Sequence, residues 1–318
     1  MADAKPTGLL EDAVVGAMLP TRGARGRLVR LTHVLDAILA PHNYPPVIEK
    51  LLADALALTA LLGSLLKDEK GQITMQAQTE SGVVDLLVCD YLAGQLRGHV
   101  KYDGDRLAEA GPAPTLFQLF GKGYLAITFD QPSRKERYQG IAPIEGEDIG
   151  EVAQSYFAQS EQIPSLVRVA AEKRDGHWVA GGLMFQHLPE GEEGRDRLHT
   201  KLDHPDWPHV AILAGSVKAG ELTDPTLALD ALLWRLFHEE DEVRLLASTA
   251  LTKGCRCSPD YIKSVIARFP PEEQAHMVAD DGFIRVDCAF CATSFPIAPA
   301  APGAAPDGAT DERGDDAV

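Results

Sequence analysis

The sequence predicts an α+β protein: an N-terminal mixed sheet-and-helix domain, a helical linker region and a small C-terminal zinc-binding domain. Three observations carry that expectation. Alternating apolar runs at strand spacing, interrupted by helical stretches, occupy the first 188 residues. Composition then changes sharply, with Glu, Asp, Arg, Lys, His and Gly dominating Pro189 to Asp206. Four of the five cysteines fall in the last quarter of the chain, as Cys255-Arg256-Cys257 and Cys288-Ala289-Phe290-Cys291. The expected divisions are 1–188, a charged linker with a middle helical region over 189–250, the cysteine domain over 251–297 and a tail over 298–318.

Taken in order, Arg27 to Leu31 is spaced as a short strand, and Thr32 stands where it would cap a helix through Ala40. Pro45-Pro46 opens a longer helix through Lys67; from Leu51 onward it is apolar on most sides, which predicts a buried central helix. Gln72 to Gln78 alternates, with Ile73, Met75 and Ala77 on one face, and Ser81-Gly82 turns the chain into a strand through Cys89. Cys89, at the end of an apolar run from Val83, reads as a buried strand residue. Further strands are expected at Leu96 to Tyr102 and Tyr124 to Phe129, and a helix at Ile149 to Ser160. Two alternating runs, Leu166 to Ala171 and Trp178 to Gln186, flank Arg174-Asp175-Gly176 and predict a hairpin.

Within Pro189 to Asp206, Leu198 and Leu202 are the only aliphatic residues of any size, so this stretch is expected to be a loosely held linker. A helix from Asp224-Pro225 to Phe237 carries Leu227, Leu229, Leu232, Leu233, Trp234 and Leu236, an apolar side that must lie on something. The acid-rich Pro/Ala/Gly tail from Ala298 to Val318 is predicted to be disordered.

The whole-chain numbers exclude several classes. At 318 residues and 45% hydrophobic content the chain is long enough for two or three domains. Met1 to Asp12 has no signal-peptide core, and the longest apolar run, Ala55 to Leu66, is too short to span a bilayer. A cytoplasmic protein is expected, and in that reducing compartment clustered thiols are metal-bound or redox-active. A formal net charge of −17 disfavours a nucleic-acid binder, which needs clustered Lys and Arg. No enzyme site emerges: Gly121-Lys122-Gly123 lacks the flanking glycines and hydroxyl residue of a phosphate loop. His187, His204 and His209 occur singly and read as surface residues.

The cysteines carry the chemistry. Thiolate quartets hold Zn²⁺ tetrahedrally, one ion per chain here, with Cys255, Cys257, Cys288 and Cys291 as the ligands. The same sulfurs, once oxidised, can pair as disulfides and no longer ligate. A plain structural knuckle remains an alternative, and a thioredoxin-like C-x-x-C is disfavoured because Phe283 to Asp287 alternates like a strand entering a knuckle. The one-residue spacing of Cys255 and Cys257 permits a disulfide only at a turn and with strain, which suits a reversible bond. Ser258-Pro259-Asp260 has the order of an N-cap, a first-turn proline and a first-turn acid, ahead of Ile262, Val265, Ile266 and Phe269 at helical spacing. That helix start, with Lys253 and Arg256, would favour the Cys257 thiolate, unless the two cations are ordinary surface charges. His276 could replace a sulfur, but four cysteines already close a tetrahedron. Leu251 to Ile297 is too short and too poor in large apolar residues to stand on its own core, so metal must supply much of its folding free energy, on the order of 10 kcal/mol or more. Oxidation would then unfold it, making this a redox-switch domain.

The order Cys-x-Cys-Ser, helix, Pro-Glu-Glu, Asp-Gly, Cys-x-Phe-Cys closely resembles the C-terminal zinc module of the heat-shock protein 33 family, redox-regulated holdase chaperones of bacteria. Upstream, Leu96-Arg97-Gly98, Tyr156-Phe157 with Ser160-Glu161-Gln162-Ile163-Pro164, Gly181-Gly182-Leu183-Met184-Phe185-Gln186 with Leu188-Pro189, and Leu236-Phe237-His238-Glu239-Glu240 resemble further stretches of that family. The likeness covers roughly residues 10 to 297; Phe295 stands where Tyr is usual, and the acidic tail is longer.

The resemblance implies an ATP-independent chaperone, not an enzyme. It implies that zinc on the four cysteines marks an inactive reduced form and that stress produces Cys255–Cys257 and Cys288–Cys291 disulfides. Module and linker then unfold, unfolded client proteins are captured, and a homodimer accompanies activation. From the residues themselves, loss of the module is expected to uncover Leu229, Leu232, Leu233 and Leu236 as part of a client site. Two rival classes remain: a zinc-ribbon regulator of nucleic acid, and an enzyme with an ancillary structural zinc.

Overall fold

A computed structural model of the chain describes residues 11–299 except 67, 69, 133–136 and 189–203. Contacts divide it into two compact units, Met1–Gly254 and Cys255–Val318. The first begins with β1 (Ala13–Leu19), a 3-10 turn at Pro20–Arg22, β2 (Ala24–Leu31), α1 (His33–Leu39) and α2 (Pro46–Gly63). There follow β3 (Gln72–Glu80), β4 (Val84–Leu92), β5 (Gln95–Tyr102), α3 (Gly104–Ala110), α4 (Leu116–Phe120), β6 (Lys122–Asp130) and β7 (Tyr138–Pro143). Then come α5 (Ile149–Tyr156) with a π turn at Phe157–Glu161, the hairpin β8 (Ser165–Arg174) and β9 (His177–His187), and α6 (Trp207–Gly215), α7 (Ala219–Leu222) and α8 (Leu229–Phe237). Two strands, β10 (Arg244–Ala250) and β11 (Thr252–Lys253), close the unit.

Two sheets organise these elements. One runs β10-β1-β2-β9-β8 with every neighbour antiparallel, and the other β11-β5-β4-β3-β6-β7, parallel only at β11–β5. Helix α2 lies between them, buried from Leu51 to Gly63 except at Asp54, and its core joins Val29, Met184 and Val167 of one sheet to Ile73, Leu87 and Val100 of the other. The sequence expectation of a central helix is met because an all-round apolar helix has nowhere else to hide its surface. In β3, Ile73, Met75 and Ala77 point inward as predicted, and Cys89 in β4 is fully buried, which pushes its thiol up.

Several boundaries differ from the expectation for identifiable reasons. The strand expected at Arg27 starts at Ala24, and β1 carries no alternation because it is covered on both faces: Val14 joins the α2 core, while Val15, Ala17 and Leu19 join a second core. Thr32 makes no side-chain cap; the Asp12 carboxylate accepts instead from Thr32 N–H at 2.7 Å and Val34 N–H at 3.3 Å, so α1 is capped from β1's end of the chain. Asp224 does not cap a helix. Its Oδ1 accepts from Thr226 N–H at 2.8 Å and holds a turn, and α8 begins only at Leu229. His187, expected at the surface, is buried at the end of β9 with its ring 4.2 Å from that of His204. The helix expected through Lys67 ends instead at Gly63, where Ser64 Oγ donates to the Leu61 carbonyl at 2.7 Å and the chain turns. Most of the Pro189 to Asp206 linker with Leu198 and Leu202, and the tail beyond residue 299, lie outside the described residues. Among the described residues no helix is long and apolar enough to cross a membrane.

The second unit contains α9 (Pro259–Ile266), α10 (Pro271–Met277) and the hairpin β12 (Ile284–Asp287) and β13 (Ser294–Ile297). Its buried core, among the described residues, is Ile266, Ile284 and Ile297, flanked by Ile262, Val278, Val286 and Phe295.

Candidate metal centre

Each cysteine is placed by a local rule. Ser258 Oγ accepts the Tyr261 N–H and caps α9 with Pro259 in its first turn, as predicted, which sets Cys255 and Cys257 just ahead of the helix. The second pair sits in the turn of the β12–β13 hairpin. Cys288 N–H donates to Thr293 carbonyl at 3.0 Å and Ala292 N–H to Cys288 carbonyl at 2.8 Å, with Ala292 at φ +53° turning the chain back.

The four sulfurs converge. Cys255 Sγ lies 3.3 Å from Cys257 Sγ and 3.6 Å from Cys288 Sγ, Cys257 Sγ is 3.6 Å from Cys291 Sγ, and all four lie within 4.8 Å of one another. Sulfurs 2.3 Å from a tetrahedral zinc stand about 3.8 Å apart. The quartet therefore fits such an ion, and no disulfide joins any of the cysteines. His276 is not part of the cluster.

The protonation of the sulfurs points the same way. Burial pushes the Cys257 thiol up, as do its contacts with Cys255 and Cys291, and burial likewise raises Cys288. Burial opposes ionisation of Cys291 too, but Thr293, whose Oγ1 is 3.2 Å away, together with Cys255 and Cys257 brings that thiol down to about 6. Cys257 and Cys288 thus give up their protons when a cation sits among the sulfurs. The expectation that the α9 start, Lys253 and Arg256 make Cys257 a thiolate is corrected on two counts. Burial, and after it the neighbouring thiols, oppose the thiolate, and Lys253 Nζ is engaged by the Ala37 carbonyl at 2.7 Å.

Leu229, Leu232, Leu233 and Leu236 are brought together as one buried face of α8. They pack in the second core with Val15, Ala17 and Leu19 of β1, Leu28 of β2, and Leu183 and Phe185 of β9. Their cover is the five-stranded sheet of their own unit. Two arginines that sequence reasoning passed over hold this segment. Arg22 donates to Asp206 Oδ1 at 3.1 Å and Glu240 Oε2 at 2.8 Å, tying both ends of α6–α8 to the β1–β2 turn. Arg30, buried in β2, donates to the carbonyls of Glu221, Leu222 and Leu227. Gly181 completes the contact, since a Cβ there would stand 2.0 Å from the Leu222 carbonyl oxygen. The Gly-Gly pair was the available signal.

Comparisons with known proteins agree with this geometry. The family model described as Hsp33 protein matches residues 12–298. A 33 kDa chaperonin of Caulobacter vibrioides is 41% identical over 313 residues, covering 96% of this chain and 100% of that protein. A 33 kDa chaperonin of Pectobacterium atrosepticum is 34% identical over 271 residues, covering 85% of this chain and 88% of its own length. The crystal structure of a 33 kDa chaperonin from Thermotoga maritima superposes with a TM-score of 0.73, covering 90% of this chain and 95% of that one; at 20% identity it speaks for the fold. With the two-sheet core, the quartet of sulfurs and a family match over nearly the whole chain, this protein belongs to the Hsp33 family of chaperones.

Proposed function

We propose that this chain is a redox-regulated, ATP-independent holdase that binds unfolding proteins under oxidative stress and keeps them from aggregating. In the reduced form zinc on Cys255, Cys257, Cys288 and Cys291 holds the second unit folded and the protein inactive. Oxidation replaces that coordination with Cys255–Cys257 and Cys288–Cys291 disulfides, and two electrons per bond pass to the oxidant, a peroxide. The observation that carries this reading is the sulfur quartet beside a core that, among the described residues, holds three buried isoleucines. Each of those contributes about 1.5–3 kcal/mol, whereas a structural zinc supplies on the order of 10 kcal/mol, so removing the ion removes the larger part of the cohesion.

On this reading residues 1–188 are the chaperone core, 189–250 the segment that lets go, and 251–297 the switch. The client surface includes Leu229, Leu232, Leu233 and Leu236 together with the sheet face they cover, since release of α6–α8 bares both. Newly contiguous apolar surface of that kind binds other unfolded chains. The protein works in the cytoplasm, takes no nucleic acid and forms a homodimer when oxidised. Light scattering of a thermally unfolding model protein tests the reading: only the chain treated with peroxide and mild heat is expected to suppress aggregation. Equal suppression by the reduced, zinc-loaded chain, or none by either, would refute it.

A further inference from the structure

Strand β10 is attached in an uncommon way. Successive side chains of a strand point to opposite faces, yet all seven of its residues are exposed, so neither face of β10 is buried, although Leu246 leans on Gly16 of β1. It lies at the edge of its sheet with β1 as its neighbour, and the register slips once: Val15 faces Ser248 while Ala17 faces Leu245, leaving one extra β10 residue opposite Gly16. Backbone pairing, with one side-chain contact of Leu246 over Gly16, is what seats β10. Its anchor comes afterwards, where Leu251 is buried and its N–H donates to the Asp12 carbonyl at 2.6 Å. Gly94, at φ +82°, makes room for the passing chain, because a Cβ there would stand 2.7 Å from the Ala250 carbonyl oxygen. Thr252–Lys253 then pairs with β5, and the next residue but one is Cys255.

β1 is held quite differently. It pairs with β2 along its length and Val14 packs in the α2 core, so the strand keeps its place without β10 and after α6–α8 have let go. An edge so exposed would offer a row of backbone N–H and C=O groups, with a recess at Gly16 for one side chain of the added strand.

We propose that β10 is an internal stand-in for client, and that the edge of β1 from Ala13 to Met18 takes an extended segment of an unfolded polypeptide as an added strand once β10 has been released. The inference rests on the holdase reading above and specifies how the client is held. An unfolded chain fits because what it exposes whatever its sequence is backbone, and the seat of β10 is mostly backbone, with room over Gly16 for one apolar side chain such as Leu246. Release is coupled to the switch because β10 and β11 run directly into the cysteine module, whose unfolding frees the far end of the strap.

Peptide-resolved amide exchange on the full chain tests this in three states: reduced with zinc, oxidised, and oxidised with each of two unrelated thermally unfolded proteins. On oxidation, β1 and β10 are expected to exchange about tenfold faster, with β2 and β9 unchanged. With either client β1 is expected to slow at least about fivefold again while β10 stays fast. If β1 is indifferent to oxidation or to client, or slows with one client only, or β10 regains protection together with β1, the inference is overturned. Light scattering on the same samples separates the two levels. No suppression of aggregation at all sinks the holdase reading, whereas suppression with a fast β1 sinks the strand-addition mode alone.

Discussion

Cys257 shows how little a local motif says about ionisation once side chains meet. Its place before α9 and beside Arg256 was legible in the sequence, but its burial, which does most to keep its proton on, and the approach of Cys291 from thirty-four positions away come only with the fold. Cys257→Ser is expected to lower bound zinc from one ion per chain to well below half, measured by a chromogenic chelator after denaturation, because three thiolates and a hydroxyl hold zinc far less tightly. Asp54 was invisible in the sequence as anything but one polar residue on an apolar helix. Burial pushes its carboxyl up to about 6 against the pull of Lys50 Nζ at 2.7 Å, and its Oδ1 has no hydrogen-bond partner. Because the folded value exceeds the ordinary one, the folded chain binds that proton more tightly. The stabilisation is complete below the ordinary value of 3.8 and is lost as pH rises through 6. Asp54→Asn is therefore expected to stabilise the first unit by about 3 kcal/mol at pH 8, with no gain at pH 4. Denaturant midpoints at the two pH values check it, and an equal effect at both would contradict the assignment.

At the scale of elements, the parts readable from the sequence were those with one covered face or none exposed: α2, β3, the β8–β9 hairpin and the capped α9. The parts missed have physical reasons. β1 is buried on both sides and shows an unbroken apolar run, β10 is bare on both sides and shows no alternation, and the short β13 is visible only as the return of the knuckle. The apolar side of α8 was legible, but its partner was not, since Leu183 and Phe185 lie some fifty residues upstream and β1 far earlier. Two substitutions probe this docking. Gly181→Ala forces the Leu222 carbonyl away and is expected to speed amide exchange over 219–237 in the reduced chain by about tenfold. Leu232→Ala, at a fully buried position, is expected to cost about 2–5 kcal/mol and to lower the amount of peroxide needed for client capture. Unchanged exchange in the first or an unchanged peroxide dependence in the second would mean that α6–α8 is not the segment that lets go.

At the scale of the molecule, the two units differ in what holds them. The first has two extended apolar cores and is expected to stay folded when metal is withdrawn; the second has three buried isoleucines and four sulfurs. That contrast is legible in the sequence itself, because the cysteine spacing and the poverty of large apolar residues beyond Leu251 are both read directly from the chain. Its most direct test is amide exchange across residues 255–297 before and after zinc is stripped by a strong chelator under reducing conditions. Exchange in that stretch should approach the rate of an unfolded peptide while α2 and β3 keep their protection. Retention of native protection there in the metal-free protein would show that the carboxy-terminal unit needs no ion to fold.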